Sequence, residues 1–153
     1  MLSEPMSAIR LEQSCPPIVL TVFRGKQTDE DVEAYITAMD AMYARGRRYA
    51  GVSLMLQYAP ERRHLGRIAE WTRATKPLVK ELCVGAAIVA PSPAFRFLLS
   101  SLLMIQPLPV RYHVVGDVDE AADWIAGQLT AARLEVPRTM REYLRAQAGL
   151  EQG

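Results

Sequence analysis

The chain has 153 residues, half of them hydrophobic and 23% charged, with a net charge of +1. That is room for one domain with an ordinary core, and it excludes a global field that would draw the protein to nucleic acid or to a membrane. Cys15 and Cys83, the two cysteines, stand far apart. They form neither a disulfide framework nor a metal-ligand spacing, and a reducing cytoplasm is the expected home.

The opening "MLSEPMSAIRLEQ" carries Glu4 and no long apolar stretch, so it is not read as a signal peptide. Residues 1–7 read as a loose end. "AIRLEQS" reads as a first strand, because Ile9 and Leu11 alternate with polar neighbours. "PPIVLTVFRG" is a second and stronger strand, bounded by Pro and Gly. The short gap between them predicts a hairpin.

"TDEDVEAYITAMDAMYARG" opens as a helix should. Thr28 caps it, Asp31 completes a capping box, and Asp29 and Glu30 suit the positive end of the helix. Val32, Tyr35, Ile36, Met39, Met42 and Tyr43 share one face. "RRYAGVSLMLQY" is the next strand. Pro60 is then expected at N1 of a second helix, with Leu65, Ile68, Ala69 and Thr72 inward, Trp71 partly so, and a kink or restart at Pro77. "LCVGAAIVAP", without polar alternation, reads as a strand buried on both faces.

Ser92 and Pro93 start "SPAFRFLLSSLLMIQP", an unusually apolar segment. Its uninterrupted piece "FLLSSLLMI" is far below the ~20 residues of a spanning helix, so it is read as a buried helix and a membrane role is not expected. "PVRYHVVG" is a fifth strand. "DVDEAADWIAGQL" is a last capped helix with Asp117 as N-cap, Glu120 at N3, and Ala121, Trp124, Ile125 and Leu129 on one face. The order β-β-α-β-α-β-α-β-α predicts an α/β sandwich on a mixed five-stranded sheet, with right-handed crossovers between parallel strands. The domain is expected over residues 8–132. Residues 133–153 read as a C-terminal appendage whose Met140, Tyr143 and Leu144 make a short amphipathic helix, packed on the body or on a partner.

This order of elements resembles the STAS-like proteins, relatives of the anti-sigma-factor antagonist SpoIIAA, whose SpoIIAA-like branch overlaps in fold with lipid-binding CRAL-TRIO domains. The resemblance covers roughly residues 8 to 132. It rests on "TDEDVEAYITAMDAM" after the second strand, on "GAAIVAP", and on the closing "VVGDVDEAADWIAGQL", where Asp117, Glu120, Ala121 and Trp124 fit the branch's closing signature. It implies a non-enzymatic role. Antagonist members of the family are switched by phosphorylation of a Ser or Thr at the start of the helix after the third strand. That position falls in "LQYAPERRHLG", and no Ser or Thr stands between Ser53 and Thr72. The chain looks like a member of the fold without the switch.

A positive segment takes that place. Residues 45–80 hold nine basic and two acidic side chains, whereas residues 1–44 are net −4 and residues 81–153 net −2. Function in open α/β sheets gathers beyond the carboxyl ends of the strands, and Arg62, Arg63, His64 and Arg67 lie there at a helix start. Guanidinium groups and free helix amides suit an anion, either a phosphate or an acidic side chain of a partner. Arg63 and Arg67 repel each other at i, i+4, which points to something negative nearby. The bland alternative is a solvated helix face with Glu61 and Glu70 as local partners.

Other chemistry is weaker. Cys83 precedes a buried strand and is expected to be inert. His113 is read as structural. Asp117, Asp119, Glu120 and Asp123 resemble a metal cluster, but capping and dipole effects explain them, and no metal or cofactor is expected. Nucleic-acid binding would call for a larger basic excess with interleaved aromatics. The leading expectation is a non-enzymatic docking module for an acidic protein surface. The alternative is a carrier of a small hydrophobic ligand such as an acyl chain, with an arginine at the pocket mouth. The excess apolar surface of helix 92–105, or the appendage, predicts a homodimer.

Overall fold

A computed structural model describes residues 8–151; the loose N-terminal end and the signal-peptide reading lie outside them. Strands β1 (Ile9–Glu12) and β2 (Ile18–Arg24) form the expected antiparallel hairpin, with Ile9 opposite Phe23. Strands β3 (Tyr49–Leu56), β4 (Cys83–Val89) and β5 (Tyr112–Val115) then add in parallel, so the sheet order is β1-β2-β3-β4-β5. The mixed five-stranded sheet of the sequence reading is what forms.

Side-chain alternation splits the core into two layers. Ile18, Leu20 and Val22 of β2 and Ala50, Val52 and Leu54 of β3 point to one face. There they meet α4 (Val118–Ala131) and α5 (Met140–Gly149). Val19 and Phe23 point to the other face, onto α1 (Asp29–Ala44) and α2 (Arg62–Leu82). Helix α3 (Pro93–Ile105) crosses from β4 to β5.

The caps follow the sequence. Thr28 Oγ1 accepts from the Asp31 amide at 3.1 Å while the Asp31 carboxylate accepts from the Thr28 amide at 2.8 Å. Ser92 caps α3, with Pro93 at its first position, and Asp117 caps α4. Two features depart from expectation. The second helix starts at Arg62 with Glu61 as N-cap, so Pro60 stands before the helix and not at N1. It also runs through Pro77 without a restart. Pro77 is exposed, so the lost backbone bond falls on the wet side of the helix, where water can satisfy it.

The inward face of α2 is also rotated from the expected one. Leu65 is 48% exposed and Ala69 is exposed. His64, Trp71, Thr75 and Leu82 are buried in their place. Polar groups can occupy these sites because α1 supplies their partners. Trp71 Nε1 donates to Asp40 at 2.8 Å and His64 pairs with Asp29, while Thr75 donates to the carbonyl of Trp71.

The helix within the appendage packs on the body: Met140 and Leu144 are fully part of the core beneath α4. Arg145 and Arg141 pair with Asp119, Arg141 also with Asp123, and buried Glu151 accepts from Arg10 of β1 and Arg24 of β2. Helix α3 reverses the expectation of a buried helix, since Leu103 is its one buried residue.

Candidate functional site

The basic cluster sits where the sequence puts it, at the start of α2, and α1 answers it. Asp29 and Glu33 are four residues apart on α1, as Arg63 and Arg67 are on α2. Arg63 reaches Asp29 at 3.4 Å and Glu61 at 3.0 Å. Arg67 spans both oxygens of Glu33 at 2.7 and 3.3 Å, and that bond holds its guanidinium pKa above the ordinary value. The negative group implied by the Arg63–Arg67 repulsion is therefore inside the chain.

His64 is buried and its Nε2 lies 2.8 Å from Asp29 Oδ1. A carboxylate only accepts, so Nε2 carries the proton. The buried Nδ1 has no hydrogen-bond partner among the described residues. Arg62 is exposed, and no ion pair is found for it among the described residues. The four residues thus split: Arg63, His64 and Arg67 fasten α2 to α1, and Arg62 alone faces outward uncommitted.

The larger concavity lies across the carboxyl ends of the parallel strands. A cleft of about 660 Å³ is bounded by Arg24 at the end of β2, Leu56 at the end of β3, Val89 at the end of β4 and Gly116 just after β5. Phe95 of α3, Val118 of α4 and Ala148 of α5 close its sides. The helix starts at Ser92 and Asp117 both open onto it, which brings two positive dipole ends to the same space. Arg24 and Glu151, paired at 3.1 Å, stand at its rim.

A side chain at Gly116 would have to push aside the flexible end of Arg96. The Arg96 guanidinium, donating to the Ala90 carbonyl at 3.0 Å, lies 2.5 Å from where a Cβ on residue 116 would be. Sequence reading missed the cleft because its residues come from six elements and the loops between them. The available signal was the set of strand-ending loops, Arg24-Gly25, Gln57-Tyr58, Pro91-Ser92 and Gly116-Asp117, which parallel strands must bring to one edge. A smaller cavity of about 150 Å³ lies between α2 and the sheet, beside Tyr49, Trp71 and Thr75.

The remaining reactive groups are otherwise engaged. Burial pushes both thiols up, and Cys83 donates weakly to the Gly85 carbonyl, which disfavours a nucleophilic thiolate. His113 is exposed and stacks on Trp124 at 5.8 Å. Asp117 is a helix cap, while Asp119 and Asp123 are held by Arg141 and Arg145. Among the described residues no helix is long and apolar enough to cross a membrane.

No protein-family model and no curated protein matches the chain. A solved structure does: an uncharacterized protein of the DUF3478 family with a SpoIIAA-like fold from Shewanella loihica PV-4. The two are 18% identical, the match covers 81% of this chain and 98% of that one, and the TM-score is 0.60. At that identity the likeness is one of fold, and the strand order, the helix-covered sheet and the solved structure agree that this chain has a SpoIIAA-like α/β fold.

Proposed function

We infer that the domain is a non-catalytic binding module whose ligand site is the cleft at the carboxyl ends of β2 to β5. The observation that carries this reading is a 660 Å³ space walled by Leu54, Leu56, Val89, Phe95 and Val118, with Arg24 at its rim. Its size and mostly apolar lining with a few polar groups fit a small molecule. The ligand class is an acyl chain or similar apolar body with a polar end. The body meets the apolar walls, and the polar end meets the rim, where Arg24 is paired with Glu151 and Asp117 adds a second carboxylate.

The alternative, docking of an acidic partner on Arg62, Arg63 and Arg67, draws less support from the geometry. Asp29, Glu33 and Glu61 already neutralise two of the three guanidinium groups. An incoming acid would have to displace a partner held within the fold, with little net gain at an exposed pair.

A fluorescent long-chain fatty acid titrated into the protein tests this. Saturable binding at one site per chain, lost on Ala148→Trp, is the expected result. Binding unchanged by Ala148→Trp, or no binding together with no lipid in an organic extract of the purified protein, overturns the reading.

A further inference from the structure

Helix α3 presents a face that no part of the described chain covers. Phe97, Leu98, Leu102, Met104 and Ile105 are 76, 54, 55, 85 and 79% exposed. The single charge on the helix, Arg96, is turned inward onto the Ala90 carbonyl. Soluble monomers rarely leave so much contiguous apolar surface bare, so the face is built for something.

The charges around it indicate what. Helix α2 links β3 to β4 and α3 links β4 to β5, so right-handed crossovers put both helices on one side of the sheet, and the connection after α3, Leu108 to Val110, lines the same small cavity as Thr72, Thr75 and Val79 of α2. Three stripes run along α2. His64, Ile68, Trp71, Thr75 and Val79 face the sheet. Arg63 and Arg67 face α1, through their bonds to Asp29 and Glu33. The third stripe, Arg62, Leu65, Ala69, Arg73, Lys76 and Lys80, faces away from α1, and every member is exposed. Among the described residues no ion pair is found for Arg62, Arg73, Lys76 or Lys80, nor for exposed Arg111 at the start of β5. From Leu82 to Gly116 the sequence contains no acidic residue.

We propose that α3, flanked by this basic stripe, seats the domain on an anionic lipid bilayer surface. An apolar helical face bordered by cations is the pattern of a helix lying in the interface, with Phe and Leu entering the acyl boundary and Lys and Arg meeting the headgroups. Charge complementarity decides against a second copy as occupant. A twin would bring the same cations to the rim and no acid from residues 82–116 to answer them, whereas an anionic headgroup layer answers all of them. The apolar run is too short to span, but lying on a surface asks for one exposed face and no length. The proposal does not depend on the cleft holding a ligand.

Flotation of the purified protein with vesicles tests it. Vesicles of phosphatidylcholine with roughly one third phosphatidylglycerol should carry the protein up the gradient, and pure phosphatidylcholine should not. Raising salt from about 0.1 to about 0.5 M should cut the bound fraction about tenfold. Leu98→Glu/Ile105→Glu and, separately, Lys76→Glu/Lys80→Glu should each lower partitioning about tenfold or more, with thermal unfolding unchanged. No flotation with anionic vesicles overturns the proposal, as does equal flotation of wild type and both variants. A dimer mass that Leu98→Glu/Ile105→Glu halves, without vesicle binding, assigns the face to a second copy and also overturns it.

Discussion

Helices α3 and α5 exchange the roles their compositions suggest. Helix α3 is nearly all apolar yet buries only Leu103. Helix α5 is far less apolar, with Arg141, Glu142, Arg145 and Gln147 among its ten residues, and is set off from the last predicted strand-helix unit, and yet it buries Met140 and Leu144 against α4. The difference is one of position. α5 lies toward the β1–β2 side of the sheet, where α4, packed on β3 to β5, leaves Ile18 and Leu20 in need of cover. α3 lies beside the short strand β5 at the sheet edge, where there is little to cover. Apolar content tells how much surface a helix could bury; topology decides whether a surface is there to meet it.

The contrast can be broken by measurement. Leu144→Ala should lower the unfolding free energy by about 2–5 kcal/mol in urea titrations, whereas Leu102→Ala on α3 should cost less than about 0.5 kcal/mol. Equal losses would show that α3 is packed after all. The closeness of the α4 layer is probed at Gly85 of β4, where a Cβ would stand 2.9 Å from Gln128 Cγ and 3.4 Å from Trp124. Gly85→Val should cost about 1–3 kcal/mol, read as a lowered melting temperature. Gly127→Ala, on the open side of α4 with nothing within 4 Å, should instead stabilise by about 0.5–1 kcal/mol.

On the opposite face, Thr28→Ala removes one half of the capping box of α1 and should cost about 1 kcal/mol by chemical denaturation. The smallest effect concerns pH. Arg145 and Arg141 hold the Asp119 carboxyl below its ordinary value of 3.8. A carboxyl with a lowered folded-state pKa stabilises the fold above the unfolded value, and that contribution fades as pH falls through the lowered one. Asp119→Asn should therefore flatten the loss of stability between neutral and strongly acid pH, seen as converging melting temperatures of variant and wild type in acid.

The sequence disclosed alternation and punctuation well. Thr28, Ser92, Pro93 and Asp117 each do at a helix start what their chemistry predicts, and the period-2 and unalternating strands fell where expected. What it hid was whatever depends on a second element. Leu65 and Ala69 look like an inward face until Asp29 and Asp40 on α1 make His64 and Trp71 the better residents. Arg62, Arg63 and Arg67 look like one patch until Glu33 and Asp29 divide it. The cleft was illegible because no single segment contains it, and α3 was misread because apolar sequence was equated with burial.

The tie between Glu151 and the first hairpin has a consequence for synthesis on the ribosome. Neighbouring strands are made in the order in which they lie in the sheet, so the sheet can grow outward as it emerges. Its α5 face, however, stays open until residues 140–151 arrive and Glu151 reaches Arg10 and Arg24. A nascent chain stalled before that point would hold Ile18, Leu20, Val52 and Leu54 beneath an incomplete roof, and that interval is when chaperone capture or aggregation would compete with folding.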